Sequence, residues 1–331
     1  MSPRICEESA APVRRLATGD RADRQAARDG LVALGAPVVP HLLPLLREAG
    51  TLGNSAAESC LERLGPAAIG PLRAVRREGP GQLRAAALRM LATLGGGDAL
   101  SAADRAAVER LVRIKLLDEE PGGLPADSWI AVPGAEVGEI VRALELHHAH
   151  PVTTAMGLSA AVHHENSLTR GADNASRATV HRVFITPEFE GRRLLYGADY
   201  LRDHWASAVE RLSAHCGEAH FYAVDDGNGA PMWWVSEHGQ DRRGHRTHGD
   251  PEWVGGPMEF ERRLMPGEDD EPGDPDEAAE YADGVRDPEE VASWISVQPT
   301  AVEVLDRVGH GWLAVTSGDV GPGGFGGALD I

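Results

Sequence analysis

Three stretches of the chain superimpose at a spacing of thirty residues without a gap: Gln25-Ala-Ala-Arg-Asp-Gly-Leu-Val-Ala-Leu-Gly, Ser55-Ala-Ala-Glu-Ser-Cys-Leu-Glu-Arg-Leu-Gly and Ala85-Ala-Ala-Leu-Arg-Met-Leu-Ala-Thr-Leu-Gly. Five columns coincide: Ala26/Ala56/Ala86, Ala27/Ala57/Ala87, Leu31/Leu61/Leu91, Leu34/Leu64/Leu94 and Gly35/Gly65/Gly95. The alanines allow close approach of neighbouring helices, the leucines form an apolar stripe at helical spacing, and each glycine is suited to a left-handed cap that ends the helix. A unit this short cannot hide its stripe alone, so the register predicts a stack of helix pairs.

After Gly35 and Gly65 come proline-bearing turns and second helices, Ala36-Pro-Val-Val-Pro-His-Leu-Leu-Pro-Leu-Leu-Arg and Pro66-Ala-Ala-Ile-Gly-Pro-Leu-Arg-Ala-Val. Proline is tolerated in a first helical turn, where its missing N–H costs nothing. The third unit replaces the proline turn with Gly95-Gly-Gly-Asp and a last helix near 103–117, as a terminal capping repeat does. The pattern of Ala-Ala, Leu-x-x-Leu-Gly and a proline-containing second helix resembles the short HEAT-like repeats of phycobilisome-lyase-type and other bacterial proteins, over residues 20–117. The resemblance implies an α-solenoid that serves as a curved protein-binding surface or a rigid spacer, and it carries no lyase chemistry with it. A DNA-binding branch of such proteins exists, but residues 1–120 hold 17 basic and 15 acidic groups, too small a margin to favour DNA.

The 331 residues suit about two domains, and 42% apolar content suffices for real cores. The formal charge of −19 repels phosphate backbones and anionic membranes, so nucleic acid is disfavoured as a partner. Twelve acidic groups and one arginine fall in 266–290, which reads as a solvated loop. The first ten residues lack a signal-peptide core and no stretch reaches the length of a membrane span, which points to a cytoplasmic protein. Cys6, Cys60 and Cys216 are odd in number and far apart, so no disulfide framework or CxxC clip is available. The sole lysine, Lys115, lies in no Walker A or kinase motif.

From Pro121-Gly-Gly-Leu-Pro onward the repeat is gone and aromatic residues appear. The expected organisation is therefore α+β: a HEAT-like solenoid over 1–120, a mixed domain with antiparallel hairpins over 125–316, and a flexible glycine-rich tail over 317–331. Within the second domain, 128–132 reads as a strand, 135–146 as a helix, and 180–186 with 192–197 as a hairpin. A second hairpin joins 220–224 to 232–236 through Asp225-Asp-Gly-Asn-Gly, which lacks the alternating ligands of a calcium loop. Leu201, Trp205, Val209 and Leu212 mark a helix over 200–215, and 312–316 reads as the last strand.

Histidines are the residue class that invites chemistry. His147, His150 and His163 with their neighbours, and His238, His245 and His248 at a spacing of H-x6-H-x2-H, are candidate ligands for a transition metal. The spacing matches no metal motif and HExxH is absent, so solvated histidines at a helix end and in a polar hairpin loop are the simpler reading. GxSxG is also missing, and Cys216 beside His215 reads as structural. Of the adjacent Trp233 and Trp234, one could face a ligand, but burial of both is the simpler expectation. The resulting reading is a non-enzymatic scaffold that binds a protein or peptide through its solenoid. The alternative is an enzyme or metal-dependent binding domain in the second half.

Overall fold

The computed structural model describes residues 3–47, 51–119, 122–134, 136–163, 167–170, 178–224, 231–247, 252–264 and 286–318. The chain divides into two compact units, with the boundary between Arg113 and Ile114. The acidic run 266–290 lies outside the described residues up to 285, as does the glycine-rich tail from 319 on and the Asp225-Asp-Gly-Asn-Gly turn.

The first unit is helical: α1 (Pro3–Thr18), α2 (Arg21–Leu34), α3 (Val39–Leu42), α4 (Leu52–Leu64), α5 (Pro66–Glu78), α6 (Gly81–Ala99) and α7 (Ala102–Leu117). Asp20 caps α2 by accepting from the Asp23 N–H, and Thr51 caps α4 by accepting from the Asn54 N–H. Gly35 and Gly65 end these two helices with φ of 73° and 52°, a conformation that favours glycine. Ala27, Ala57 and Ala87, and Leu31, Leu61 and Leu91, are all buried. Charged pairs on the flanks join helices: Arg63 to Asp29 at 2.6 Å and Arg89 to Glu58 at 3.0 Å. Among the described residues no single helix is long and apolar enough to cross a membrane.

Three sequence expectations change here. Gly95 does not end a helix, because α6 continues to Ala99; instead, a Cβ at Gly95 would meet Ala99 Cβ of its own helix at 2.5 Å and Ile69 Cδ1 of α5 at 3.1 Å, so the missing side chain makes room both within α6 and beside α5. Ala26 is exposed and Ala86 half-buried, so only the second alanine column lies at helix contacts. The second helix expected after Gly35 is broken into a 3-10 turn (Ala36–Val38), the one-turn α3 and another 3-10 segment (Leu43–Arg47). Pro37, Pro40 and Pro44 each withhold an N–H, so a continuous α-helical ladder cannot form.

The second unit is built on eleven strands in antiparallel pairings: β1 (Ser128–Pro133), β2 (His147–Val152), β3 (Ser167–Arg170), β4 (Ala178–Phe189), β5 (Arg192–Tyr196), β6 (Glu218–Ala223), β7 (Met232–Glu237), β8 (Gln240–Arg246), β9 (Glu252–Val254), β10 (Arg307–Val308) and β11 (Gly311–Val315). Their order is β2-β11-β4-β5-β1-β6-β7-β8-β9, with β3 and β10 also on β4. The helices are α8 (Val137–Ala143), α9 (Thr154–Leu158), α10 (Ala198–Cys216), α11 (Glu259–Leu264) and α12 (Pro288–Ile295). Ile130, Val132, Leu195, Phe221 and Trp234 from one sheet face pack with Ile140 and Leu144, beside α8, and with Leu201, Val209 and Leu212 of α10. Burial of this set is the main source of stability for the unit.

An α+β domain with an antiparallel sheet thus follows an N-terminal helical region. The segment ahead of β1 belongs to the second unit through its own bonds: the Leu124 N–H donates to Pro299 O at 3.1 Å and the Thr154 N–H to Glu119 Oε1 at 2.5 Å. The first hairpin turns on Glu190 and Gly191, at φ of 47° and 75°, so β4 runs through Pro187, next to a register shift between Ile185 and Glu188. At Gly244 a Cβ would penetrate the Trp234 ring, which is itself fixed by its Nε1–H donating to Asp241 Oδ1 at 2.8 Å. Gly244→Ala is therefore expected to cost about 1–3 kcal/mol of unfolding free energy in urea titration, with near-UV circular dichroism altered at the tryptophan bands.

Candidate functional site

Strand alternation gives the sheet a second face, opposite the α8 and α10 core. On it, directly paired residues form a row of rings: Trp129 opposite Tyr222, Tyr222 opposite Trp233, Trp233 opposite His245, and His245 opposite Trp253. Trp129 stacks on Tyr222 at 4.9 Å between centroids, and His245 lies 4.3 Å from Trp253. Phe260 of α11 closes on Trp233 at 6.1 Å. Trp233 and Trp234 are both buried and on opposite faces, Trp234 lying against Trp205 of α10 at 5.6 Å.

Two polar groups are built into this face. Glu218, His220 and Tyr222 alternate along β6, with His220 Nε2 donating to the Glu218 carboxylate and the Tyr222 hydroxyl bonded to His220 Nδ1 at 3.0 Å. Burial holds the His220 imidazole below its usual range, although Glu218 pulls the other way, and burial pushes the Tyr222 hydroxyl well up. Each hydrogen bond in the relay satisfies a buried polar group. Nearby, Arg243 makes a two-pronged pair with Glu261 at 3.0 and 2.7 Å, both buried, while its guanidinium stands 4.1 Å over Trp253.

The described candidate metal ligands are spread over separate elements. His147 and His150 sit in β2, where His150 Nδ1 is 3.2 Å from His148 O and His148 Nε2 is 2.6 Å from Gly318 O. His238 is exposed in the β7–β8 turn at φ 51°, and His245 lies five positions beyond Gln240, the first residue of β8, roughly 16 Å along the strand. His248 and the side chain of His163 lie outside the described residues. Among the described residues, no group of three His, Cys, Asp or Glu side chains is placed to hold a metal ion. The picture of solvated loop histidines fails for His245, which is fully buried. The polar run Gln240-Asp-Arg-Arg-Gly-His-Arg concealed β8 from a hydrophobic-pattern reading. Cys216 is half-buried and its thiol is pushed up by burial and then by Glu139, which disfavours the thiolate.

A different constellation, in the first unit, forms a recess. Arg73, Arg76 and Arg77 of α5, Arg84 of α6, and Ser101 and Asp104 at the start of α7 line a pocket of about 540 Å³ floored by Leu91, Ala99 and Leu100. Arg73 donates from Nε to Ala99 O and from Nη2 to Asp98 O, both at 2.8 Å, and Arg84 donates from Nε to Gly79 O at 2.8 Å. Arg76 grips Asp104 Oδ1 through Nε at 3.0 Å and Nη2 at 2.5 Å, while the Ser101 hydroxyl donates to Asp104 Oδ2 at 2.9 Å. These bonds hold the Asp104 carboxyl below the usual range, Arg76 contributing most. Among the described residues, Arg77 pairs only with its exposed neighbour Glu78, at 2.8 Å. The pocket can therefore offer fixed, partly uncompensated guanidinium groups to an anion.

Net charge over residues 1–120 gave no hint of this cluster. The spacing of Arg73, Arg76 and Arg77, three and four residues apart and hence on one helical face, was the available signal. The chain matches no protein-family model, no curated protein and no solved structure.

His245 yields a pH prediction. Its ring nitrogens have no hydrogen-bond partner, and burial, then Arg286 and Arg243, push its pKa down to about 4 from an ordinary 6.5. Below pH 6.5 the unfolded chain binds a proton that the folded chain refuses, so this residue removes stability as pH falls towards 4. His245→Phe is expected to be at least as stable as the wild type at pH 7 and to lose less stability between pH 7 and 5, as read by urea denaturation at both pH values.

Proposed function

We propose that this protein is a non-enzymatic adaptor whose N-terminal helical unit, organised as HEAT-like repeats, docks a protein partner in the cytoplasm. The carrying observation is the arginine-lined pocket between α5, α6 and α7: a preformed recess whose cationic groups are anchored by backbone carbonyls. Pre-anchored side chains lose little entropy on binding, which is what a docking site requires. The repeat reading draws support from equivalent positions thirty residues apart that share burial, Ala27 with Ala57 and Ala87, and Leu31 with Leu61 and Leu91. Cys60 and Cys216 are both free thiols, which suits a reducing compartment. On this reading the α+β unit is a stable, closed body joined to the docking unit.

The test compares capture by the full chain and by an Arg77→Glu/Arg84→Glu variant, with far-UV circular dichroism as the check on folding. A protein retained by the wild type and depleted at least about tenfold from the equally folded variant is expected, since reversing two exposed charges replaces attraction with repulsion. Recovery of the same proteins by both chains would overturn the proposal.

A further inference from the structure

We infer that the arginine-lined pocket takes an acidic peptide, with aspartate or glutamate side chains of a partner segment entering between Arg73, Arg77 and Arg84. The inference rests on the adaptor reading above and adds the chemistry of the partner.

Four guanidinium groups line this recess and meet two carboxylates, Asp104 inside it on Arg76 and the exposed Glu78 on Arg77, in a chain whose overall formal charge is −19. Such a local excess of positive charge attracts an anionic ligand over about 10 Å before screening removes the field. Arg73 and Arg84 are tethered through neutral carbonyls, which fix direction without cancelling charge. Among the described residues, no hydrogen bond engages Nη1 of Arg73 or either Nη of Arg84, so these N–H groups are available for charge-assisted bonds.

Asp104 decides between kinds of anion. Its carboxylate, with Oδ1 gripped by two nitrogens of Arg76 and Oδ2 accepting from Ser101, shows that this pocket accommodates a carboxylate. It also removes Arg76 from the free set and places a negative charge inside the recess, which repels a compact dianion such as a phosphate more than single carboxylates spread along a peptide. Remaining donors belong to separate positions on α5 and α6, a layout that suits several singly charged groups.

The experiment uses the full chain and a fluorescein-labelled hexaglutamate peptide in anisotropy titrations, with hexaglutamine as control and a phosphoserine peptide and inorganic phosphate as competitors. Hexaglutamate is expected to bind, hexaglutamine not to bind, and affinity to fall as salt rises. Arg77→Gln/Arg84→Gln should weaken binding at least about tenfold, whereas Asp104→Asn, which releases Arg76 and removes the internal charge, should tighten it. Equal binding by the wild type and the double arginine variant overturns the inference, as does displacement by inorganic phosphate or the phosphoserine peptide at lower concentration than by unlabelled hexaglutamate. Absence of hexaglutamate binding alongside arginine-dependent capture of a protein overturns the acidic-peptide chemistry alone. Capture that is indifferent to the arginines overturns the adaptor reading as well.

Discussion

Alternation along antiparallel strands is the constraint on which the second unit depends. Each strand from β1 to β9 through β6, β7 and β8 sends neighbouring residues to opposite faces, and the cross-strand register keeps like with like: Ile130 and Phe221 on the α10 side, Trp129, Tyr222, Trp233 and His245 on the other. A slip of one residue in any pairing would exchange an apolar core residue for a ring with a polar edge. Side chains from both faces are buried, Ile130 and Phe221 on one and Trp129, Tyr222 and Trp233 on the other. Polar side chains on this face are paired, the buried His220 with the partly exposed Glu218 and Arg243 with Glu261, both buried, which fixes their geometry.

The helical unit follows a different logic. Helices pack through small residues at recurring positions, and where three prolines interrupt the second helix the chain still buries Val38, Val39, Leu42 and Leu43 through short turns. Burial of these side chains outweighs the lost helical bonds. Charged residues stay on the flanks, and where Arg73, Arg76, Arg77 and Arg84 gather around the start of α7 they leave a recess with more cations than anions. That imbalance is the feature that distinguishes this surface from the closed sheet of the second unit, and it is why we assign binding to the first.

His245 shows how a residue with catalytic reputation can be structural. Its ring fills the space between Trp233 and Trp253, and its nitrogens find no partner, so its shape contributes more than its chemistry. The same holds for Tyr222, whose hydroxyl is bonded to His220 and whose ring lies under Trp129.

Local pattern alone determined the α+β division, the helix over most of α10 and the hairpins of β4–β5 and β6–β7, because apolar periodicity and turn residues act within a few positions. It also located the left-handed glycines at Gly35 and Gly65. It missed β8, whose polar residues are buried only because Glu261 and Trp253 arrive from elsewhere to pair with Arg243 and stack on His245. It misplaced the role of Gly95, whose missing side chain makes room for Ala99 of the continuing helix and for Ile69 of another. It offered the histidines as possible metal ligands, whereas among the described residues no three His, Cys, Asp or Glu side chains gather around one point, and it averaged away the arginine cluster in a net charge. Those outcomes depend on which side chains meet across elements, a three-dimensional fact that spacing along one chain does not encode.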